Sequence, residues 1–475
     1  MIPLTLHQIA DITGGTLLAA GVDPESSIAD ISTDTRKPQH GALFIAIKGE
    51  KHDPHEKLSE AFGNGATAAL VERIPALASG DRGEGVAHAM VKVANARLAM
   101  GQLATHIRRQ LKGKVIAVAG SNGKTSTKYL LHSVLKTKLS GSISPKSFNN
   151  DVGVPLAIFP ADPQHDYLVL EIGTNHPGEV EHLSKLAEPD IAIITSIAPE
   201  HLEGLGDLGG VRREEAAIIA GLNPKGTLIV NGDDAKLLEL VGRFPGRTIT
   251  FGLKEHNDLR ASDIRCTEAG IWFTLSDRSN TSRVHIPQLG AHVACNALAV
   301  IAAARLLGMA DRYIVQALAH AHPPDMRLQL EKLDGLTILN DAYNANPAST
   351  RAALETLAAL PAEKRRVAIL GDMRELGVHT AKYHEETGIF AAHSKVDVLI
   401  CVGRDAKLIA QAAAEAGMPR GQIHQYPDSP TAAEAVPDAL ENGDVVLFKA
   451  SRSVELETVV KAVVAKRQPL GQAAT

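Results

Sequence analysis

Five apolar residues, Val115 to Ala119, run into the glycine-bracketed turn Gly120-Ser121-Asn122-Gly123 and then into Lys124-Thr125-Ser126. Behind them Tyr129, Leu130, Leu131, Val134 and Leu135 recur at helical spacing. That order constrains the segment to a buried strand, a tight turn and a helix that starts at the end of a parallel sheet. The geometry suits a phosphate. Backbone N–H groups and the helix N-terminus face the anion, Lys124 meets the outer phosphates, and the Thr125 hydroxyl can ligate Mg²⁺. The Gly-x4-Gly-Lys-Thr form of such loops would need glycine at position 118, where this chain has Val118. The reading therefore rests on strand, turn and Lys-Thr taken together, since an ordinary Gly-rich turn needs no Lys-Thr pair.

A chain of 475 residues is long enough for about three domains. A net charge of -5 and an aromatic content of 3% argue against a groove built on phosphate neutralisation and base stacking, so no nucleic-acid partner is expected. Cys266, Cys295 and Cys401 lie far apart without metal-type spacing, as small buried residues in a reducing compartment would. The N-terminus lacks a basic leader region, and no apolar run reaches membrane-spanning length. The expectation is a soluble cytoplasmic protein without membrane insertion, and nothing in the sequence demands more than a monomer.

Three α/β segments are predicted. Residues 1–112 mix short strands (Leu43 to Ile47, Ala68 to Val71) with Gly- and Pro-rich turns, a mixed α/β N-terminal domain. Residues 113–322 alternate strand and helix. The runs Tyr167 to Ile172, Ile191 to Thr195 and Thr227 to Val230 are nearly all apolar, as in a central parallel sheet covered on both faces. The pattern breaks around His320 to Pro324, and residues 323–475 begin again with strands at Val367, Val396 and Val445, a Rossmann-like C-terminal domain.

Ligands of open parallel sheets collect beyond the carboxyl ends of the strands. Glu171 falls there, and a carboxylate so late in an apolar strand is costly to bury unless it is paired or binds metal. His201, after the strand ending near Thr195, is the second candidate; together they suggest Mg²⁺ sites beside a triphosphate. Taken alone, His201 could equally cap a turn. Arg212-Arg213-Glu214-Glu215 reads as a solvated helix face with weak ion pairs. The cluster Asn340-Asp341-Ala342-Tyr343-Asn344-Ala345-Asn346-Pro347 suits a turn and helix cap as well as it suits, with Arg327, a nucleotide's ribose and phosphates.

At these residues the chain resembles the Mur ligases, ATP-dependent amide-bond ligases of peptidoglycan precursor synthesis. The resemblance runs nearly the whole length: Ser32 to Arg36, the phosphate loop, Asn149 to Pro155, Glu171 to Glu179, His201 to Gly204, His292 to Leu298, Asp341 to Pro347, Gly371 to Gly377 and Lys449 to Arg452. The stretches Asp341 to Pro347 and Gly371 to Gly377 are the narrowest, and resemble the branch that adds D-alanyl-D-alanine to UDP-N-acetylmuramoyl-tripeptide. The resemblance implies three domains that bind the UDP-sugar, ATP and the incoming amine in turn. It assigns Asp34, Thr35 and Arg36 to the UDP end and Asn149 and Asn150 to the sugar-peptide. Gly120, Ser121, Asn122, Gly123, Lys124, Thr125 and Ser126 would cradle the phosphates. Glu171 and His201 would serve two Mg²⁺ ions, with Thr125 as a further ligand. Asn296 would meet the adenine, and Arg327, Asp341, Tyr343 and Asn344 the ribose and phosphates. Lys449, Ser451 and Arg452 would line the dipeptide site.

The implied chemistry converts a carboxylate, a poor acyl donor, into an acyl phosphate that the D-alanyl-D-alanine amine then attacks. Two positions depart from the family pattern. A lysine, carbamylated to help hold the second Mg²⁺, is usual where this chain has Glu215, so Glu215 is expected to supply the charge directly through a water or a shifted helix, with Glu214 as the fallback. Val293 stands where many relatives have asparagine, which leaves Asn296 as the adenine contact and weakens any role for His292. Alternative readings are another ligase of the superfamily, such as a third-residue Mur ligase or a folylpolyglutamate synthetase, and a non-catalytic nucleotide-binding relative.

Overall fold

A computed structural model describes residues 1–467 except 20, 38, 50, 51, 75–87 and 279. Besides a two-stranded antiparallel ladder of Leu4–Thr5 with Ser27–Ile28, three larger sheets follow one another along the chain. The first is five-stranded, in the order Thr16–Leu18, Ala89–Lys92, Ala68–Val71, Ala42–Ile45, Asp30–Ser32, and is parallel except for its first pair. The helix Ala96–Arg108, capped by the Asn95 side chain, leads out of it.

The second sheet has nine strands. Lys114–Ala119 sits between Tyr167–Glu171 and Ile191–Ile194, all three parallel, with Val115 opposite Leu168 and Ala119 opposite Ile194. Their residues from Val115 onward are buried because helices cover both faces, which is why the runs are apolar without alternation. The three carboxyl ends open side by side, so the loops leaving Ala119, Glu171 and Ile194 converge. Beyond Thr227–Asn231 and Arg247–Gly252 the sheet is extended by Leu259–Thr267, Gly270–Ser276 and Thr281–Ile286, the last two pairings antiparallel. This antiparallel edge was not among the predicted strands. One of its faces is solvated, and its alternation is broken by a register shift between Ser262 and Arg265.

Residues 321–324 adopt neither helix nor strand. The third sheet then runs Gln329–Leu333, Leu336–Asn340, Asp444–Lys449, Arg366–Gly371, Val398–Val402, Ile423–Tyr426, parallel save for its first strand. Apolar cores fill both of its faces, around Leu354, Leu370 and Ile409 on one side and Ile369, Phe448 and Val459 on the other. Among the described residues no helix is long and apolar enough to cross a membrane.

Candidate active site

The phosphate loop is built as its glycines require. Gly120 and Gly123 have φ of +117° and +87°, which side-chain-bearing residues avoid. A Cβ on Gly120 would lie 2.3 Å from Thr195 Oγ1, and one on Gly123 would lie 2.6 Å from Asn296 Oδ1. Gly123 hands over to the helix Lys124–Leu135. The loop backbone is pinned from the next strand: Thr195 Oγ1 donates to the carbonyls of Ala119 and Asn122, at 3.0 and 2.6 Å. Lys124 Nζ folds back onto the carbonyls of Gly120 and Ser121 and faces Glu200 Oε1 at 3.4 Å. Burial draws its pKa down, but the charges of Glu200, Glu215 and Glu171 outweigh that and hold it above the ordinary value.

Around the loop lies a cleft of about 1100 Å³. Of the sequence-predicted residues, Ser121 to Ser126, Asn149, Asn150, Glu171, His201 and Asn296 line it from the central segment, and Arg327, Asp341, Tyr343, Asn344, Lys449 and Arg452 line it from the third. The structure thus brings together side chains more than 300 positions apart in sequence. Asp34, Thr35, Arg36, Gly120, Glu215 and Ser451 do not line the cleft. Asp34 instead holds Arg36 through two bonds, at 2.8 and 3.0 Å, which brings the Asp34 carboxyl down to a pKa of about 2. Ser451 Oγ accepts from the Arg374 N–H and donates to the Ala345 carbonyl.

Glu171 is paired, as its burial demands. Oε1 accepts from Asn149 Nδ2 at 3.0 Å, and Oε2 faces Lys128 Nζ at 3.1 Å. Lys128 escaped the sequence reading although a signal was present, since it stands four residues after Lys124 on the same helix face. Its ammonium, wholly buried, also donates to the Lys146 carbonyl. His201 has φ +49° and heads the short helix Leu202–Leu205. Its Nδ1 forms an ion pair with Glu375 of the third segment. Burial would lower the imidazole pKa, but Glu375 and Glu200 raise it overall.

Glu214 and Glu215 are buried, at 6% and 1% exposure, against the expectation of a solvated face. Backbone donors remote in sequence explain both. Glu214 accepts from the N–H groups of Gly178 (2.7 Å) and Val180 (2.8 Å) and from Thr174 Oγ1, at the start of the helix Glu179–Ala187. Glu215 Oε2 accepts from Gly120 N–H at 2.6 Å, behind the phosphate loop. Burial raises its carboxyl to a pKa of about 7, opposed by Lys124 and the Gly120 bond and reinforced by Glu200. Arg212, on the same helix, pairs with Asp234. Of the three cysteines expected to be buried, Cys266 and Cys295 are only partly so, and Cys295 lines the cleft, whereas Cys401 is buried in the C-terminal core.

From the third segment, Arg327 lays its guanidinium over the Tyr343 ring, 4.1 Å from the centroid, and reaches Thr125 Oγ1 at 3.4 Å. The Tyr343 hydroxyl donates to Ser147 Oγ at 2.7 Å. Asp341 accepts from Lys449 Nζ at 2.6 Å and from Leu328 N–H, and Lys449 also donates to the Asn344 carbonyl. Burial holds the Lys449 ammonium below its usual pKa despite Asp341. Asn296 Nδ2 is buried without a partner beside the loop, a free donor for a ligand. Arg452 stays half exposed, paired with Glu457.

Among the described residues no three His, Cys, Asp or Glu side chains cluster as an all-protein metal cage. Magnesium beside a nucleotide does not need one, because it keeps waters and takes one or two protein oxygens plus phosphates. Thr125 and Glu171 on one cleft wall fit that demand.

A phosphate loop at the end of a parallel sheet, faced by arginine and lysine from a second α/β domain, is the arrangement of a nucleotide-dependent enzyme whose phosphate site lies between two domains. The Mur ligase middle domain matches residues 118–304, and the Mur ligase glutamate ligase domain matches residues 326–452. The chain belongs to the Mur ligase family. The UDP-N-acetylmuramoyl-tripeptide--D-alanyl-D-alanine ligase of Bacillus subtilis is 36% identical over 466 residues, covering 98% of this chain and 99% of that one. A crystal structure of MurF from Acinetobacter baumannii superposes with a TM-score of 0.86 at 31% identity, over 98% of this chain and 99% of the other. MurF from Thermotoga maritima in complex with ADP gives a TM-score of 0.80 at 27% identity, over 92% and 97%.

Proposed function

We propose that this protein joins D-alanyl-D-alanine to the terminal carboxylate of UDP-N-acetylmuramoyl-tripeptide, with conversion of ATP to ADP and phosphate, in peptidoglycan precursor synthesis. The full-length likeness to ligases of that name supports the reaction. The observation that carries the mechanism is the single cleft in which Lys124 and Thr125 of the phosphate loop face Arg327, Asp341 and Lys449 of the C-terminal domain.

Lys124 and the loop N–H groups hold the β- and γ-phosphates, and Arg327, backed by Tyr343, neutralises charge as the γ-phosphoryl group passes to the tripeptide carboxylate. Asn296 offers its free N–H to the adenine, while Asp341 and Asn344 meet the ribose and phosphates. Asn149 and Asn150 orient the sugar-peptide, and Asp34, Thr35 and Arg36, away from the cleft, hold the uridine end. The amine of D-alanyl-D-alanine, positioned by Lys449, Ser451 and Arg452, attacks the acyl phosphate and releases phosphate. Thr125, Glu171 and His201 would hold magnesium, with Glu215 adding negative charge behind the loop. When bound, the metal screens the repulsion between the two anions that meet. Water must be kept out while the acyl phosphate waits, which is the task of the C-terminal domain over the cleft. The enzyme works as a cytoplasmic monomer.

Phosphate release from ATP tests the reading. Release should require UDP-muramoyl-tripeptide and D-alanyl-D-alanine together. Equal release with either omitted would overturn it.

A further inference from the structure

The side chain of Asn122, in the phosphate loop, and that of Asn346, 224 positions later, face each other as a reciprocal amide pair. Asn346 Nδ2 donates to Asn122 Oδ1 at 2.9 Å, and Asn122 Nδ2 donates to Asn346 Oδ1 at 3.3 Å. The second proton of Asn346 Nδ2 points to Glu200 Oε2 at 3.4 Å, and the other oxygen of Glu200 faces Lys124 Nζ. Asn346 Oδ1 also accepts from Ser349 N–H at 2.9 Å, which makes it the N-cap of the helix Pro347–Ala359. Every donor and acceptor site on this 7%-exposed amide is therefore used. On the loop side, Asn122 is fixed through its carbonyl to Thr195 and Ser196 and through its N–H to Ser196 Oγ.

A helix cap alone requires only the bond to Ser349. The remaining bonds cross from the C-terminal domain to the phosphate loop and, through Glu200, to the lysine that meets the phosphates. We propose that Asn346 and Asn122 form an interdomain clamp, with Asn346 a positioning residue that ties the loop and Lys124 to the docked C-terminal domain. The proposal rests on the ligase reading above and deepens it. Undocking would remove a donor from Glu200 and leave its charge to draw Lys124 away from the phosphates. Phosphoryl transfer is thereby confined to the arrangement in which the amine site covers the cleft.

Serine separates clamp from cap, because it caps helices about as well as asparagine but cannot form the amide pair. Asn346→Ser should keep the wild-type melting temperature and a KM for ATP within about twofold, while kcat falls about tenfold, the effect of two net hydrogen bonds. Asn122→Ser should do the same, and the double variant should lose no more than the slower single one. Small-angle X-ray scattering should give Asn346→Ser a larger radius of gyration than wild type. Unchanged kcat in Asn346→Ser, or losses that multiply in the double variant, would overturn the clamp. If wild type itself released phosphate without the tripeptide, the ligase reading would fall. Scattering would then decide the clamp alone, a wider variant supporting it and an unchanged one refuting it.

Discussion

Glu214 and Glu215 stand side by side on one helix, yet their carboxylates serve opposite directions. Glu214 takes two backbone N–H groups at the head of the helix Glu179–Ala187, where the helix dipole also favours a negative charge. Removing it leaves the buried Val180 N–H unpaired, at about 1–3 kcal/mol, and takes from the more exposed Gly178 N–H a charge-assisted bond of about 1 kcal/mol. Glu214→Ala should therefore lower stability by roughly 2–4 kcal/mol in urea titration, and a change below half a kcal/mol would contradict the capping role. Glu215→Gln is the complementary experiment. The amide keeps an acceptor for Gly120 N–H and the same volume, so folding should be little affected while the charge near Lys124 is gone. If that charge supports the metal, the Mg²⁺ concentration for half-maximal activity should rise roughly tenfold, the effect expected of one partly screened charge. An unchanged Mg²⁺ requirement would sink the idea.

Elements fix what single residues cannot. The helix Thr380–His393 carries His384, buried, whose Nε2 accepts from Met373 N–H at 3.0 Å while Nδ1 donates to the Thr380 carbonyl at 2.7 Å. Burial holds this imidazole below its usual pKa, in spite of the Thr380 bond and nearby Asp372. A second ring proton would point at the Met373 N–H. The folded pKa lies below the unfolded one, so the contribution of His384 is complete above about pH 6.5 and is lost progressively as pH falls below it. Melting temperatures should decline from pH 7 towards pH 5, and His384→Gln should flatten part of that slope from a lower starting value. Legibility follows the same scale. Ala68–Val71, the strand and loop from Lys114 to Thr125, and the Asn346 cap before Pro347 could be read because their causes are local: apolar runs, glycine torsions and a side chain bonding three residues on. The burial of Glu214 and Glu215, the Lys128–Glu171 pair and the Glu375 partner of His201 were not legible. Their partners lie 34 to 174 positions away, and only the fold brings them near. The clefted half of the site was therefore visible as residues but not as pairings.

On the scale of the molecule, the three sheets do not make three equally independent bodies. One continuous apolar core runs from Leu4, Ile45 and Leu103 in the N-terminal domain through Ala117, Leu170 and Leu186 in the central one. Arg108, at the end of the connecting helix and 8% exposed, locks that junction: its guanidinium donates to the carbonyls of Ala187 and Glu188 and to Asp190 at 2.8 Å. The C-terminal domain has its own cores on both sheet faces. It meets the central domain through polar groups, through Leu289, which packs into the C-terminal core that holds Leu328, and through a small apolar cluster in which Leu202, Leu205 and Val211 join Ala345, Met373 and Leu376. Shared apolar core couples unfolding, whereas a small, largely polar interface lets domains melt separately. Calorimetry of the ligand-free protein should therefore resolve two transitions, one for the joined N-terminal and central domains and one for the C-terminal domain. Arg108→Ala removes a buried guanidinium and leaves Asp190 with only Lys114 Nζ, at 3.4 Å, and the Val115 N–H, so it should weaken the joined unit by about 2–3 kcal/mol and leave the C-terminal transition where it was. A fragment of residues 323–475 should fold alone, with a cooperative melt matching that second transition. One transition in the intact protein that shifts as a whole with Arg108→Ala would show that the polar interface couples the domains more tightly than its composition implies.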